Sequence, residues 1–100
     1  MSGKIYTINQ IREKLDSVFK RYGIRRAILF GSYGKGTATQ KSDIDLVVES
    51  NLKGLQFVGF MEEVREVIDK DIDVFDVTHI EKDSEIDSEI EKTGVMIYEE

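Results

Sequence analysis

The sequence predicts a single domain in which helices pack against a small β-sheet. Apolar residues recur at helical spacing in three segments, short apolar segments typical of strands lie between them, and glycines stand at several of the junctions. This alternation favours a sheet covered by helices, but it leaves the order and direction of the strands open. With 100 residues, 40% of them hydrophobic, the chain can build one modest core, and we expect residues 1–100 to form one domain.

The first helix is predicted to begin at a capping box, Thr7-Ile8-Asn9-Gln10. In this motif the Thr hydroxyl and the Gln amide satisfy the exposed N–H groups at a helix start. Gly23 then supplies a left-handed stop. The apolar residues between these ends recur every three or four positions: Ile8, Ile11, Leu15, Val18, Phe19 and Tyr22.

The next segment, 24–30, is predicted to be a strand, because its apolar end suits burial on both faces. Gly31 ends it. Residues 31–36 form a glycine-rich turn, and 37–41 are polar enough to be a loop that returns to the sheet. A second strand is predicted over 43–48.

Side chains alternate across that second strand. Asp43, Asp45 and Val47 should face one side, and the other side should enter the core. The residues expected on the core side are Ile44, Leu46 and Val48.

Four further elements are predicted in the second half. A helix over 55–70 presents an apolar stripe, a third strand covers 72–77, a short helix covers 84–92, and a last strand covers 95–98. The stripe consists of Val58, Met61, Val64, Val67 and Ile68. The acidic run 81–91 is interpreted chiefly as a solvated helix face.

Composition excludes several classes of protein. The formal net charge of −6 argues against a basic surface for long nucleic acid, although bound cations and backbone N–H groups can still attract a small anion. No apolar run approaches the roughly 20 residues that cross a bilayer, so no membrane partner is expected. The chain has no cysteine, and its first six residues lack the pattern of a secretion signal, so we expect a cytoplasmic protein.

Carboxylates on the second strand provide the clearest chemical signal. Asp43 and Asp45 stand at positions i and i+2, so they project from one face and repel each other unless a divalent cation lies between them. Mg²⁺ suits oxygen ligands and is often completed by substrate phosphates. A third carboxylate from the neighbouring strand would complete a two-metal site. Asp73 has the appropriate direction, and Asp71 or Asp76 would replace it if the register differed.

The turn after the first strand complements these carboxylates. Gly31 and Ser32 expose backbone N–H groups and a hydroxyl to an anion, and Gly34 and Gly36 allow a triphosphate to approach. Lys35 is either a phosphate contact or a solvated lysine, and Tyr33 is either a base-stacking or an ordinary surface aromatic. Phosphates beside metal ions predict nucleotidyl transfer, in which the metals activate a hydroxyl and stabilise the leaving pyrophosphate.

Other nucleotide and hydrolase motifs fail at specific positions. The phosphate-loop pattern would require glycine where Leu29 stands, and the dinucleotide fingerprint would require it at Thr39. Ser32 lacks the flanking residues of a nucleophile elbow. His79 is the single histidine, so a catalytic triad is disfavoured, and it is given no role.

The pattern Gly31-Ser32, ten residues, Asp43-Ile44-Asp45 resembles the signature of the DNA polymerase β-like nucleotidyltransferase superfamily. The stretch GSYGKGTATQKSDIDLVV is particularly similar to its minimal nucleotidyltransferase branch, and the resemblance extends through IDVFDV to GVMIYE. It implies an α+β palm fold with a small mixed sheet. It also implies Mg²⁺ binding by Asp43, Asp45 and Asp73, nucleotide binding by Gly31 and Ser32, and ATP as substrate.

Members of this branch often act as the antitoxin beside a helical HEPN ribonuclease toxin, and some transfer AMP from ATP to a tyrosine of that toxin. We therefore expect a metal-dependent adenylyltransferase whose acceptor is held by a partner surface, because the core leaves no room for further domains. Two alternatives remain open at this point. One is an antitoxin that neutralises its toxin by binding alone, and the other is a small-molecule nucleotidyltransferase subunit.

Overall fold

The computed structural model describes residues 6–39 and 42–100. The last two residues of the predicted loop over 37–41 lie outside the described residues, and 37–39 are irregular as expected. In the described part of the chain, no helix is long and apolar enough to cross a membrane.

The first helix, α1, spans Ile8–Arg21 and confirms both predicted ends. The Gln10 N–H donates to Thr7 Oγ1 at 3.0 Å, and the Thr7 N–H donates to Gln10 Oε1 at 2.8 Å. Gly23 has φ +67°, the left-handed conformation expected after the helix. The predicted face is buried at Ile11, Leu15, Val18 and Phe19.

Within the described residues, four strands form one mixed sheet in the order β3-β2-β1-β4. Their bounds are β1 Arg26–Phe30, β2 Ile44–Glu49, β3 Ile72–Asp76 and β4 Val95–Glu99. Strand β1 is antiparallel to both β2 and β4, whereas β2 and β3 are parallel. The third strand therefore lies beside the second, and the predicted α+β fold with a mixed sheet is confirmed.

One face of the sheet holds the hydrophobic core, covered by α1 and by α3, which spans Leu55–Val67. Alternate strand residues enter this core, including Leu29, Ile44, Leu46 and Val48. The opposite face carries the intervening residues, among them Phe30 and Asp45.

The predicted apolar stripe of α3 is partly wrong. Val58 is 47% exposed, whereas Phe60, which was not predicted, is fully buried. The buried face runs through Phe60, Val64 and Ile68 at four-residue spacing, and at about 100° per residue Val58 lies on the other side of the helix. The helix ends at Val67 rather than Lys70, because Ile68 is already extended.

The predicted glycine-rich turn is a short helix, α2, spanning Gly31–Lys35 and ended by Gly36 at φ +79°. A 3₁₀ turn, Val77–His79, follows β3 and was not predicted. The last helix, α4, spans Glu85–Thr93 and contacts both α2 and β1. Helices α2 and α4 therefore lie next to each other at the end of β1.

Candidate active site

Two of the predicted aspartates lie directly opposite each other in the sheet. The parallel register of β2 and β3 pairs Asp45 with Asp73, and their strand neighbours Ile44 and Ile72 enter the core. Neighbouring strands lie about 4.8 Å apart, so these carboxylates share one region of the opposite face. Asp45 is half-buried and Asp73 is exposed. The side-chain direction inferred from strand alternation is therefore the observed one.

The electrostatic environment of Asp45 is strongly acidic. Burial, followed by the charges of Asp73, Asp43 and Glu89, raises the pKa of Asp45 from 3.8 to about 6. Asp43 is exposed and immediately precedes β2. Within residues 6–39 and 42–100, Asp45 has neither an ion pair nor a hydrogen bond that would stabilise its charge. The position therefore favours an added proton or cation.

Gly31 lies against this carboxylate, and two features favour glycine there. Its φ is +71°, and a Cβ atom at this position would stand 2.7 Å from Asp45 Oδ2. The Gly31 N–H donates to Thr93 Oγ1 at 2.8 Å. The backbone donor that the sequence suggested for a phosphate is therefore engaged within the chain, and the close approach to Asp45 is the role that the structure gives Gly31.

A cavity of about 430 Å³ opens where these elements meet. The sheet contributes Phe30, Asp45 and Phe75, and the turn region contributes Gly31, Ser32, Lys35 and Thr37. Helix α4 contributes Glu85, Ile86 and Glu89. Asp43 and Asp73 do not line the cavity but stand close enough to act on the pKa of Asp45.

The α4 wall was missed by sequence analysis, which interpreted its acidic run as solvated. Glu85 and Glu89 are indeed exposed, but they stand one turn apart on the side that faces the cavity. Nothing in the local sequence distinguishes this side from an ordinary solvated helix face. Only the packing of α4 beside α2 reveals it.

A family model for the polymerase beta nucleotidyltransferases matches residues 13–100, a range that contains the turn, the aspartates and α4. The chain belongs to this family. The prediction of a nucleotidyltransferase is confirmed. A relative from Methanocaldococcus jannaschii, named "Putative protein adenylyltransferase", is 36% identical over 69 residues, which cover 67% of this chain and 74% of the relative.

Solved structures share the fold of this nucleotidyltransferase at low sequence identity. A chain in a crystal structure of a toxin–antitoxin with AMP-PNP has a TM-score of 0.73 and 20% identity, covering 89% of this chain and 73% of that one. A chain in the structure of a tri-AMPylated Shewanella oneidensis HEPN toxin in complex with an MNT antitoxin has a TM-score of 0.69 and 16% identity. That match covers 93% of this chain and 73% of the other. At these identities the likeness concerns the fold.

The alternative third carboxylate, Asp76, belongs to a different part of the nucleotidyltransferase. It is 3% exposed and accepts hydrogen bonds from Ser50 Oγ at 2.8 Å and from the Thr78 N–H and hydroxyl at 3.0 and 2.8 Å. Its oxygens are therefore occupied on the core side of β3. Asp71 is exposed and precedes β3, so Asp73 remains the carboxylate paired with Asp45.

The structure corrects the interpretation of Tyr33 and leaves that of His79 unchanged. Tyr33 is 3% exposed and belongs to the hydrophobic core, so neither base stacking nor a surface position is correct. His79 lies at the end of the 3₁₀ turn, where its ring meets Phe57 edge-on at 6.2 Å. It lies outside the cavity that Asp45 lines.

The residues present fit a hard divalent cation because they offer carboxylate oxygens, although they do not form a complete set of ligands. In the described ranges, no three His, Cys, Asp or Glu side chains are gathered tightly enough to hold a metal ion. Asp45 and Asp73 are nevertheless paired carboxylates in an acidic field, and Mg²⁺ is commonly held by one or two carboxylates with waters and phosphates. Such a cation would also lower the pKa of Asp45.

Proposed function

We propose that this nucleotidyltransferase is a single-domain cytoplasmic enzyme that transfers AMP from ATP to a tyrosine hydroxyl of a HEPN-type toxin and so acts as its antitoxin. Asp43, Asp45 and Asp73 would bind Mg²⁺, with two ions expected, and Gly31 and Ser32 would form the nucleotide-binding turn, in which Ser32 supplies the donor because the Gly31 N–H is already bonded to Thr93. The observation that carries the proposal is the half-buried Asp45, which faces Asp73 in the sheet and shares one cavity with Ser32.

The cavity supports a nucleotide as ligand because its walls differ in character. Ser32 and Lys35 offer a hydroxyl and a positive charge on one side, whereas Phe75 and Ile86 offer apolar surface on another. A nucleoside triphosphate has the matching combination of anionic phosphates and an aromatic base. The volume of about 430 Å³ falls in the range of small-molecule sites.

The chemistry divides between the metal and the protein. Bound Mg²⁺ would lower the pKa of the attacking hydroxyl and stabilise the leaving pyrophosphate. The hydroxyl oxygen attacks the α-phosphorus, the bond from that phosphorus to the bridging oxygen of the β-phosphate breaks, and the hydroxyl proton passes to solvent. Ser32 and Lys35 line the cavity, where Ser32 would donate a hydrogen bond to a phosphate oxygen and Lys35 would balance charge.

The choice of acceptor is supported by the relatives and by charge. The 36% identical relative is named for protein adenylyltransfer, and structures of the same fold include an AMPylated HEPN toxin with an MNT antitoxin. The net charge of −6 favours a protein acceptor over a long nucleic acid.

The test is to incubate the protein with α-labelled ATP, Mg²⁺ and the product of the adjacent gene, followed by mass spectrometry of the labelled residue. We expect label on a tyrosine of the partner, reduced to background by Asp43→Asn, Asp45→Asn and omission of Mg²⁺. Asp69→Asn is the matched control, because Asp69 is exposed and lies outside the cavity. This variant should transfer AMP like the wild type.

Other results would refute this function in distinguishable ways. Neutralisation of the toxin by the wild type and by Asp45→Asn alike, without transferred label, would establish an antitoxin that acts by binding. Label on an added aminoglycoside but not on the partner would establish a small-molecule nucleotidyltransferase.

A further inference from the structure

We propose that Thr93, at the end of α4, is a positioning residue that holds the Gly31-Ser32 turn in the geometry required for nucleotide binding. The inference rests on the proposed function, since it assigns a support to that same site. Thr93 does not line the cavity, and its hydroxyl contacts the site through the Gly31 N–H. Its effect would be exerted through Gly31.

The hydroxyl of Thr93 joins two cavity walls by consecutive hydrogen bonds. It accepts from the Gly31 N–H at 2.8 Å and donates to the Glu89 carbonyl oxygen at 2.7 Å. Gly31 belongs to the turn wall and Glu89 to the α4 wall. One hydroxyl therefore links two segments that are 62 residues apart along the chain.

Thr93 is also a buried polar residue, with 8% of its surface exposed. A buried N–H without an acceptor is unfavourable by much more than an exposed one, because no water replaces the lost partner. Removing the Thr93 hydroxyl would take the acceptor away from the Gly31 N–H, whose hydrogen bond is partly buried. The turn would then shift to find another acceptor, and Ser32 and the contact between Gly31 and Asp45 would move with it.

Close contacts around Thr93 show that α2 and the end of α4 pack directly against each other. A Cβ atom at Gly34 would stand 2.0 Å from the Thr93 carbonyl oxygen, so α2 packs directly on the end of α4. A Cβ atom at Gly94 would stand 2.5 Å from the Ile90 carbonyl oxygen and 3.0 Å from Ile28 Cγ2. The end of α4 therefore has a fixed place against α2 and β1, with Thr93 at the junction.

The decisive variants are Thr93→Val, which keeps the shape and removes the hydroxyl, and Thr93→Ser, which keeps the hydroxyl. Thr78→Val is the matched control, because the Thr78 hydroxyl also makes a 2.8 Å hydrogen bond, to Asp76, but lies outside the cavity. The dissociation constant of ATP with Mg²⁺ is measured on each purified protein by calorimetry, well below its Tm. The KM and kcat of transfer are measured in parallel.

We expect Thr93→Val to weaken ATP binding about tenfold, equivalent to ~1.4 kcal/mol, with a matching rise in KM and a smaller change in kcat. Thr93→Ser should bind ATP within about twofold of the wild type, since one hydrogen-bonding group is worth more here than one methyl group. Thr78→Val should lower the Tm while its ATP affinity stays unchanged. The Gly31 amide should lose hydrogen-exchange protection in Thr93→Val alone.

Each contrary result would refute either the positioning role of Thr93 or the proposed function. If the wild type and Thr93→Val bind ATP equally, the positioning role of Thr93 is refuted and the proposed function stands. If Thr78→Val or Thr93→Ser weakens ATP binding as much as Thr93→Val does, the effect is general destabilisation, and the inference is again refuted. If the wild type itself binds no ATP, the proposed function fails, and the role of Thr93 in nucleotide binding fails with it.

Discussion

Two aspartates at opposite ends of the β2–β3 pair have opposite environments. Asp45, near the start of β2, is half-buried beside other carboxylates, and its pKa is raised to about 6. Asp76, at the end of β3, is almost fully buried. Burial alone would raise its pKa, but hydrogen bonds from Thr78 and Ser50 outweigh burial and lower the pKa below 3.8.

The difference separates a residue that serves the fold from one to which the proposed function gives a chemical role. The protein supplies every partner that Asp76 needs, so its charge stabilises the loop after β2 and the 3₁₀ turn after β3. The described part of the chain supplies Asp45 with like charges instead, which is unfavourable for the fold alone. Strongly perturbed carboxylates in clefts are characteristic of functional sites, so the environment of Asp45 supports the cation binding that we propose there.

The largest effect should come from Asp45→Asn. We expect transfer to fall by roughly 100-fold or more, because the proposed Mg²⁺ would lose a central ligand. The Tm in the absence of Mg²⁺ should stay equal or rise, since a repelling charge has been removed. The rate of AMP transfer and the Tm, measured on the same preparation, check these two expectations. A large drop in Tm would mean that Asp45 serves the fold, as Asp76 does.

Gly31→Ala should damage both the fold and the site. The added methyl group would stand 2.7 Å from Asp45 Oδ2 in a left-handed backbone, so we expect a loss of about 2–4 kcal/mol and near-complete loss of transfer. Gly23→Ala is the matched control, because Gly23 has φ +67° but open space around it. It should lose about 1 kcal/mol and retain transfer. Denaturant unfolding measures both, and equal losses would show that the contact with Asp45 is unimportant.

Asp76→Asn should lower stability and leave transfer nearly unchanged, the reverse of what we expect for Asp45→Asn. We expect the free energy of unfolding to fall by about 1–3 kcal/mol, because charge-assisted hydrogen bonds from Ser50 and Thr78 are weakened in a buried place. Transfer measured well below the Tm should be nearly unchanged. Asp73→Asn, at an exposed position, should change stability by less than about 0.5 kcal/mol. A loss of transfer in Asp76→Asn at low temperature would contradict the assignment of Asp76 to the fold alone.

The smallest expected effect is the pH dependence of the free energy of unfolding. Without metal, the raised pKa of Asp45 contributes stability that is fully present below pH 3.8 and is lost as the pH rises through about 6. The lowered pKa of Asp76 acts in the opposite direction. Its contribution is present above pH 3.8 and is lost as the pH falls through the lowered pKa.

Urea unfolding in EDTA should therefore show Asp45→Asn gaining stability relative to the wild type between about pH 4 and about pH 7. The advantage of the wild type over Asp76→Asn should shrink only at lower pH. Stability differences that do not change with pH would show that neither carboxylate is perturbed as described.

Local patterns explain why much of the fold was predictable. The capping box at Thr7, the glycine at the end of α1 and the alternation along β2 depend on residues close together in the sequence, and all were confirmed. The choice of Asp73 over Asp76 also followed from alternation, once β3 was placed beside β2.

Predictions failed where a side chain's place depends on distant elements. Phe60 is buried and Val58 exposed because of how α3 rotates against the core, and the apolar pattern of α3 allows more than one rotation. Tyr33 stands in a glycine-rich segment that looks solvated, yet it is buried in the core of the folded chain. Neither position can be derived from spacing within its own element.

By itself, the sequence determined the chemistry of this protein: the Gly31-Ser32 turn, the Asp43-Ile44-Asp45 spacing and the family to which they belong. These are local signals, because the Gly-Ser pair and the spacing of the aspartates can be recognised without knowledge of the rest of the fold. The tertiary structure alone decided that the Gly31 N–H is taken by Thr93 and that α4 forms a cavity wall. Those contacts join residues about sixty positions apart, and only the packing of α4 against α2 and β1 brings them within hydrogen-bond distance.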